Sequence, residues 1–398
     1  MHELFELFWK HRARDAEPRV VVGSYGHQFA PEEIFAALGL DSISLMIGGN
    51  EAWQTRGMDY LTPTSCVYSR QMIGFFEEMV ANQADVPKIK AMIHTNFCSG
   101  DYHSMEIIRH YFGIETIPLM IPYKITANAF KMVVNGLKSA IDRLATLAGT
   151  AYDPERLQAV IEQSCRISDQ FGQFAKVPVA GSQRLADFYE IALAPWDKKA
   201  SLITSLIETR GSGSTRLTPG ALNIVLTGSP VLVGDRFTTM LDGVDMPVRF
   251  YDFYFGDQRA LKKIPKEPGD LRGLKQDVDF SNPIHVLAAY YLETLAPERM
   301  VYGARDHLDA RVKQILRYAD FLPDGQQIDG VIGHVLKFCD VYGTDRSQFK
   351  ARLQDANHVP VLDIERDYSA SSVGQISTRV EAFKEMLVNE KKHADKFE

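Results

Sequence analysis

Short apolar runs rich in β-branched residues alternate with longer amphipathic stretches, and this alternation constrains the fold more than any other feature of the chain. RVVVGSY (19–25), SISLMIGG (42–49), KAMIHTN (90–96) and IETIPLMIP (114–122) are strand-sized. Runs this short and this uniformly apolar fit strands buried on both faces. After the first run Pro31 opens a helix, with Glu32 and Glu33 in its first turn, where the helix dipole favours acids. A second set of strands is expected at ALNIVLTG (221–228), MPVRFYDF (246–253), GVIGHVLKF (330–338) and VPVLDIE (359–365). Helices are expected at 283–295, 305–320, 345–355 and 373–391. Residues 2–14 read as a helix with Leu4, Phe5, Phe8 and Trp9 on one face.

Residues 125–210 carry helical periodicity throughout, and GSGSTR (211–216) with Pro219 reads as a linker. The expected class is α/β: two doubly wound, mostly parallel-sheet domains joined by a helical layer. The domains are drawn at 1–124 and 216–398, with the helical layer and linker at 125–215.

Composition excludes several classes. With 398 residues the chain has room for two or three domains and a sizeable core. Its 45% hydrophobic and 24% charged residues are ordinary globular values, unlike collagen, coiled-coil or disordered sequences. A net charge of −7 argues against a nucleic-acid partner. The opening MHELFELFWKHRARDAEPR has no apolar signal core, and no apolar stretch reaches spanning length, so no membrane role is expected and the cytoplasm is the default compartment. Four cysteines make no disulfide framework.

Familiar catalytic signatures are missing. GSGSTR lacks the third glycine of a dinucleotide loop and follows a helix. The chain contains no GxxxxGK[ST], GxSxG, HExxH or CxxC. The cysteines say more. Cys98 and Cys339 each follow a predicted parallel strand, where open α/β sheets place ligands, and Cys66 follows a Pro-containing turn. Any single cysteine is most often a small buried hydrophobe, and mid-helix Cys165 is read that way. His94, His103, His110 and His334 near the cysteines are read as surface or supporting histidines rather than ligands. Glu32 and Glu33 follow the first strand and could serve as catalytic carboxylates, although helix-end charge explains them almost as well.

Several stretches, taken together, resemble one family. KFCDVYG…HVPVLDIERDYSASSVGQISTRVEAFKEML carries a Cys after a strand and a closing helix with Gly374, Gln375, Arg379, Glu381, Ala382, Phe383 and Glu385. YGHQFAPEEIFAALGL, SCVYSRQMIG, TNFCSGDYHSMEIIRHYFG and LTGSPVLVGDRF add further matches, while 125–215 carries few. The chain resembles 2-hydroxyacyl-CoA dehydratase component D and benzoyl-CoA reductase subunits. The resemblance implies a [4Fe–4S] cluster between the two domains, held by Cys66, Cys98 and Cys339, with one iron not ligated by cysteine. Cys165 matches no cluster position.

The resemblance also implies a radical, anaerobic mechanism. One electron enters the acyl-CoA thioester, the resulting ketyl expels the neighbouring hydroxyl, and the electron is recycled. In the reductase branch the electron stays in an aromatic ring. Both branches imply a homologous second subunit and a separate ATP-dependent iron–sulfur activator. Glu33 is expected near the thioester as a catalytic carboxylate. The dehydratase branch is preferred. The alternatives are ring reduction, a cluster-bearing reductase of another small molecule, and a cluster-free binding protein.

Overall fold

The computed structural model describes residues 2–12, 20–28, 30–81, 87–212, 221–295, 306–369 and 373–394. Of the linker expected at 211–216 with Pro219, Gly211 and Ser212 instead complete a helix; the rest, and the last two residues of the helix expected over 2–14, lie outside these. The chain builds two four-stranded sheets, each parallel throughout. The first contains β1 (Val21–Tyr25), β2 (Asp41–Leu45), β3 (Ile89–Thr95) and β4 (Glu115–Leu119), in the order β2-β1-β3-β4. The second contains β5 (Ile224–Gly228), β6 (Val248–Asp252), β7 (Gly330–Leu336) and β8 (Val361–Arg366), in the order β6-β5-β7-β8. Every residue of the central strands β1, β5 and β7 is buried, as expected of strands covered on both faces, and so is every residue of the edge strand β6.

The shared strand order matters for function. In each sheet the winding direction reverses between the two central strands, β1 and β3 in one and β5 and β7 in the other. A crevice opens beyond the carboxyl ends of strands at such a switch point. The two crevices face each other. Met46–Gly48 leaves β2 and pairs with the segment after β5, with Val233 N–H donating to Met46 O at 2.9 Å and Gly48 N–H to Val233 O at 2.8 Å. This detour is why SISLMIGG pairs in its own sheet only to Leu45.

Four long helices fill the middle: Ala127–Ala148, Pro154–Lys176, Gly181–Leu193 and Trp196–Ser212. Thr126 caps the first by accepting from Ala129 N–H, and Asp153 caps the second ahead of Pro154 in its first turn. The Gly181–Leu193 helix packs on both β2 and β6 and so ties the sheets together. One core cluster contains Ile43 and Leu45 of the first sheet and Leu226 and Ile332 of the second. Each large side chain buried there contributes about 1.5–3 kcal/mol. The N-terminal helix, Glu3–Lys10, inserts Leu4, Phe5 and Phe8 into the same cluster. The helix expected over 283–295 is α-helical only over Pro283–Ala289 and continues as a π-turn through Tyr290–Thr294.

Candidate active site at the facing strand ends

Cys66, Cys98 and Cys339 line one cavity together with His27, Asp101 and Ser229. The strand order explains the convergence. His27 follows β1, Cys98 follows β3, Ser229 follows β5 and Cys339 follows β7, so all four central strands aim their carboxyl ends at this point. Phe97, Leu336, Val341 and Tyr342 supply apolar wall. The joint is closed by Val67 N–H donating to Lys337 O at 3.3 Å and by Ser99 Oγ at 3.2 Å from Asp340 Oδ2.

Each cysteine stands immediately before a helix. Cys66 precedes Val67–Ala81, Cys98 caps Ser99–Phe112, and Cys339 caps the short Asp340–Gly343 turn. The first N–H groups of a helix have no partner within it and favour negative charge. Here they act on sulfur: the Ser69 and Tyr68 N–H groups favour the Cys66 thiolate, the Asp101 N–H the Cys98 thiolate, and the Tyr342 and Val341 N–H groups with the Ser229 hydroxyl the Cys339 thiolate. Burial works against these donors. It pushes the Cys66 thiol up to about 12, helped by Cys339. Burial and then the Asp101 carboxylate push Cys98 well above its ordinary value, and burial raises Cys339. As free thiols these groups hold their protons at neutral pH, and a thiophilic metal replacing those protons would meet donors already in place.

Two glycines make the approach feasible. A side chain on Gly100 would meet Ser69 Oγ at 3.0 Å and lie 3.6 Å from Cys98 Sγ, because the Cys66 and Cys98 helices meet there. Gly228, at φ +102°, turns the chain from β5 into Ser229, whose N–H donates to His334 O at 2.7 Å. His334 is buried, and burial keeps its imidazole neutral. It bonds Ser229 O through Nδ1 and stacks on Phe237, so it braces the Ser229 loop, and it does not line the cavity.

Other residues singled out in the sequence lie elsewhere. Glu33 does not line the cavity: its carboxyl receives the Ser164 hydroxyl at 2.7 Å and Tyr291 OH at 3.4 Å, facing the helical layer. The expectation that it sits on the side where the cysteines converge is thereby corrected. Pro31 starts the helix one residue before Glu32, and the helical turn carries Glu33 away from the strand end. Burial raises its pKa. Glu32 takes Lys199 Nζ at 3.0 Å and Arg259 at 3.1 Å. Cys165 is half-buried on the Pro154–Lys176 helix, outside the cavity lining. His94 borders an outer groove with Arg143 and Glu115, and His103 and His110 are exposed.

Sequence reasoning missed His27, Asp101 and Ser229. Their signal was positional: each falls within three residues of a central strand end or of a site cysteine. Among the described residues, no group of three or more His, Cys, Asp or Glu side chains lies close enough to chelate a single metal ion. The thiols surround a space instead of a point.

Residues 28–387 match the family model described as 2-hydroxyglutaryl-CoA dehydratase, D-component. The chain belongs to this dehydratase family. The matched stretch contains Cys66, Cys98, Asp101, Ser229 and Cys339, and begins one residue after His27. The chain is also similar to the putative dehydratase subunit YjiM of Escherichia coli (strain K12), with 39% identity over 74 residues. That similarity spans 19% of this chain and 19% of the relative. The family is one of dehydratase components. No helix among the described residues is long and apolar enough to cross a membrane.

Proposed function

We propose that this chain is the [4Fe–4S]-bearing subunit of a radical 2-hydroxyacyl-CoA dehydratase that depends on a separate ATP-driven activator. The observation that carries this reading is the arrival of three thiols, from elements far apart in sequence, at one cavity, each at the start of a helix. Soft thiolates are the ligands iron–sulfur clusters take. Spacing around a cavity suits a multinuclear group better than one ion, whose ligands must all reach a common centre at about 2.3 Å. Three ligands for four irons leave one iron free for substrate, as catalytic metal sites require.

The chain's own residues divide the remaining work. Cys66, Cys98 and Cys339 would hold the cluster, and the helix N–H groups with Ser229 would stabilise their negative charge. Phe97, Leu336 and Val341 exclude water, which strengthens every electrostatic interaction inside. When bound, the cluster supplies a low-potential electron beside the substrate thioester. The substrate then loses the hydroxyl at C2 and a proton at C3. The activator supplies ATP hydrolysis that a chain without a phosphate-cradling P-loop does not.

Anaerobic purification should give about four irons and four sulfides per chain. With companion subunit, activator, ATP and reductant, 2-hydroxyglutaryl-CoA should lose water with no net electron consumption. A colourless, iron-free protein would overturn the reading. One observation favours ring reduction instead: Tyr68, Phe97 and Tyr342 give the cavity aromatic walls. Stoichiometric electron consumption with benzoyl-CoA would replace dehydration with that reaction.

A further inference from the structure

Beside the three cysteines the cavity holds a histidine–carboxylate pair that the sequence motifs did not point to. His27 Nε2 bonds Asp101 Oδ2, and Gln28 Nε2 donates to the same oxygen at 2.7 Å. Both His27 and Asp101 line the cavity. The hydrogen bonds fix the direction of every proton here. Thr95 N–H donates to Gln28 Oε1 at 2.9 Å, so that atom is the amide oxygen and Gln28 presents N–H groups to Asp101. Oδ2 is therefore an acceptor, and the imidazole must give it the Nε2 proton. In the neutral ring the other nitrogen, Nδ1, then carries the lone pair. It is buried, with no hydrogen-bond partner among the described residues. Tyr68 packs edge-on against the ring at 4.6 Å and Tyr25 stacks at 6.0 Å, which limits the orientations open to it.

A buried imidazole with a fixed tautomer, an orienting carboxylate and a free lone pair is the arrangement general bases use. We infer that His27 Nδ1 takes the proton from C3 of the 2-hydroxyacyl thioester, with Asp101 and Gln28 as positioning residues; this rests on the dehydratase reading above. The C3–H bond breaks and its electron pair becomes the C2–C3 double bond. Hydroxide leaves C2, and the imidazolium returns the proton to it as water. The sum is redox-neutral, because the activating electron is recovered.

The test uses the complete system, with companion subunit and activator, and 2-hydroxyglutaryl-CoA as substrate. His27→Gln keeps an N–H donor toward Asp101 but removes the base. It should lower kcat by about 10²–10⁴-fold, leave KM within a few-fold and keep the iron count and visible spectrum of the parent. In D2O, the parent should exchange the C3 hydrogen of recovered substrate and His27→Gln should not. Asp101→Asn should also lower kcat with its iron retained. Independently of turnover, the 15N spectrum of histidine-labelled protein, purified without oxygen, should place His27 in the Nε2–H tautomer. A parental rate and exchange in His27→Gln, or an Nδ1–H tautomer, would overturn the assignment while dehydration by the parent stands. A parent that forms no enoyl thioester overturns the dehydratase reading, and this inference with it.

Discussion

Two buried polar regions flank the first sheet and satisfy their groups in opposite ways. On the helical-layer side, Glu32 lies between Lys199 and Arg259, Lys199 also donates to Ala192 O, and Glu33 receives Ser164. Carboxylate, ammonium and guanidinium answer one another within the chain. At the strand ends, Arg70 is a cation near Cys66, and its Nε, His27 Nδ1 and Ser69 Oγ are buried without partners among the described residues. Buried polar groups normally find partners inside the protein. The self-satisfied region reads as scaffold, and the region with buried groups left unpartnered reads as the place a foreign group enters.

The largest expected effect separates the two regions outright. Replacing Cys66, Cys98 or Cys339 by Ala should abolish iron binding and activity while the fold survives, because a buried thiol gives way to a smaller apolar group. Cys165→Ala should keep its iron. Iron and sulfide analysis beside thermal unfolding checks both, and full iron retention in Cys98→Ala would remove the basis of the cluster proposal.

Glu32→Ala should do the reverse, destabilising the chain without touching the cysteines. Burial opposes the Glu32 charge, but Lys199 and Arg259 overcome it and hold its pKa below the usual range. Removing the carboxylate leaves two cations facing each other, with Lys199 only 4% exposed. Breaking a buried pair in this way costs about 3–5 kcal/mol. Denaturant unfolding measures it. A loss below about 1 kcal/mol would mean that the layer is wetter than its packing indicates.

The fold is more legible in the sequence than the site. All eight strands were legible, because covered parallel strands are continuous apolar runs. Strand-end placement pointed to the cysteines and resemblance made them a set, since gaps of 32 and 241 residues carry no spacing signal. The two carboxylates were misplaced for a geometric reason. Proximity in sequence to a strand end does not say which way a helix turn carries a side chain. His27 was invisible because its partner, Asp101, is 74 residues away.

A smaller effect tests how Cys339 is aimed. Phe338 holds φ +63° with its ring 48% exposed, a conformation that side chains with a Cβ rarely adopt. The left-handed turn directs the chain from β7 into the Cys339 helix. Phe338→Gly removes about 1–2 kcal/mol of strain and returns about 0.5–1 kcal/mol as chain entropy. The net result should be a small rise in unfolding free energy with iron retained. A clear loss would show that the exposed ring packs on something that outweighs the strain.

The smallest effect is the one that depends on pH. Burial raises the Glu33 pKa, with the Ser164 hydrogen bond and Arg259 opposing. The folded chain therefore keeps a proton on Glu33 at pH values where the unfolded chain, at about 4.3, has lost it. Stability falls with rising pH wherever the native state binds more protons. The parent should lose stability as pH climbs from that unfolded value through the raised folded one, and then level off. Glu33→Gln keeps an oxygen for Ser164 and cannot ionise, so this loss should be absent. Its stability relative to the parent should climb through the same window and then stay constant, which unfolding series at pH 4 to 8 would follow. A difference that stays flat across the window would mean that Glu33 is charged in the folded chain. The helical layer would then carry two buried carboxylates on the Lys199–Arg259 pair, and the contrast with the cysteine cavity would be one of charge balance rather than of neutral against charged acids.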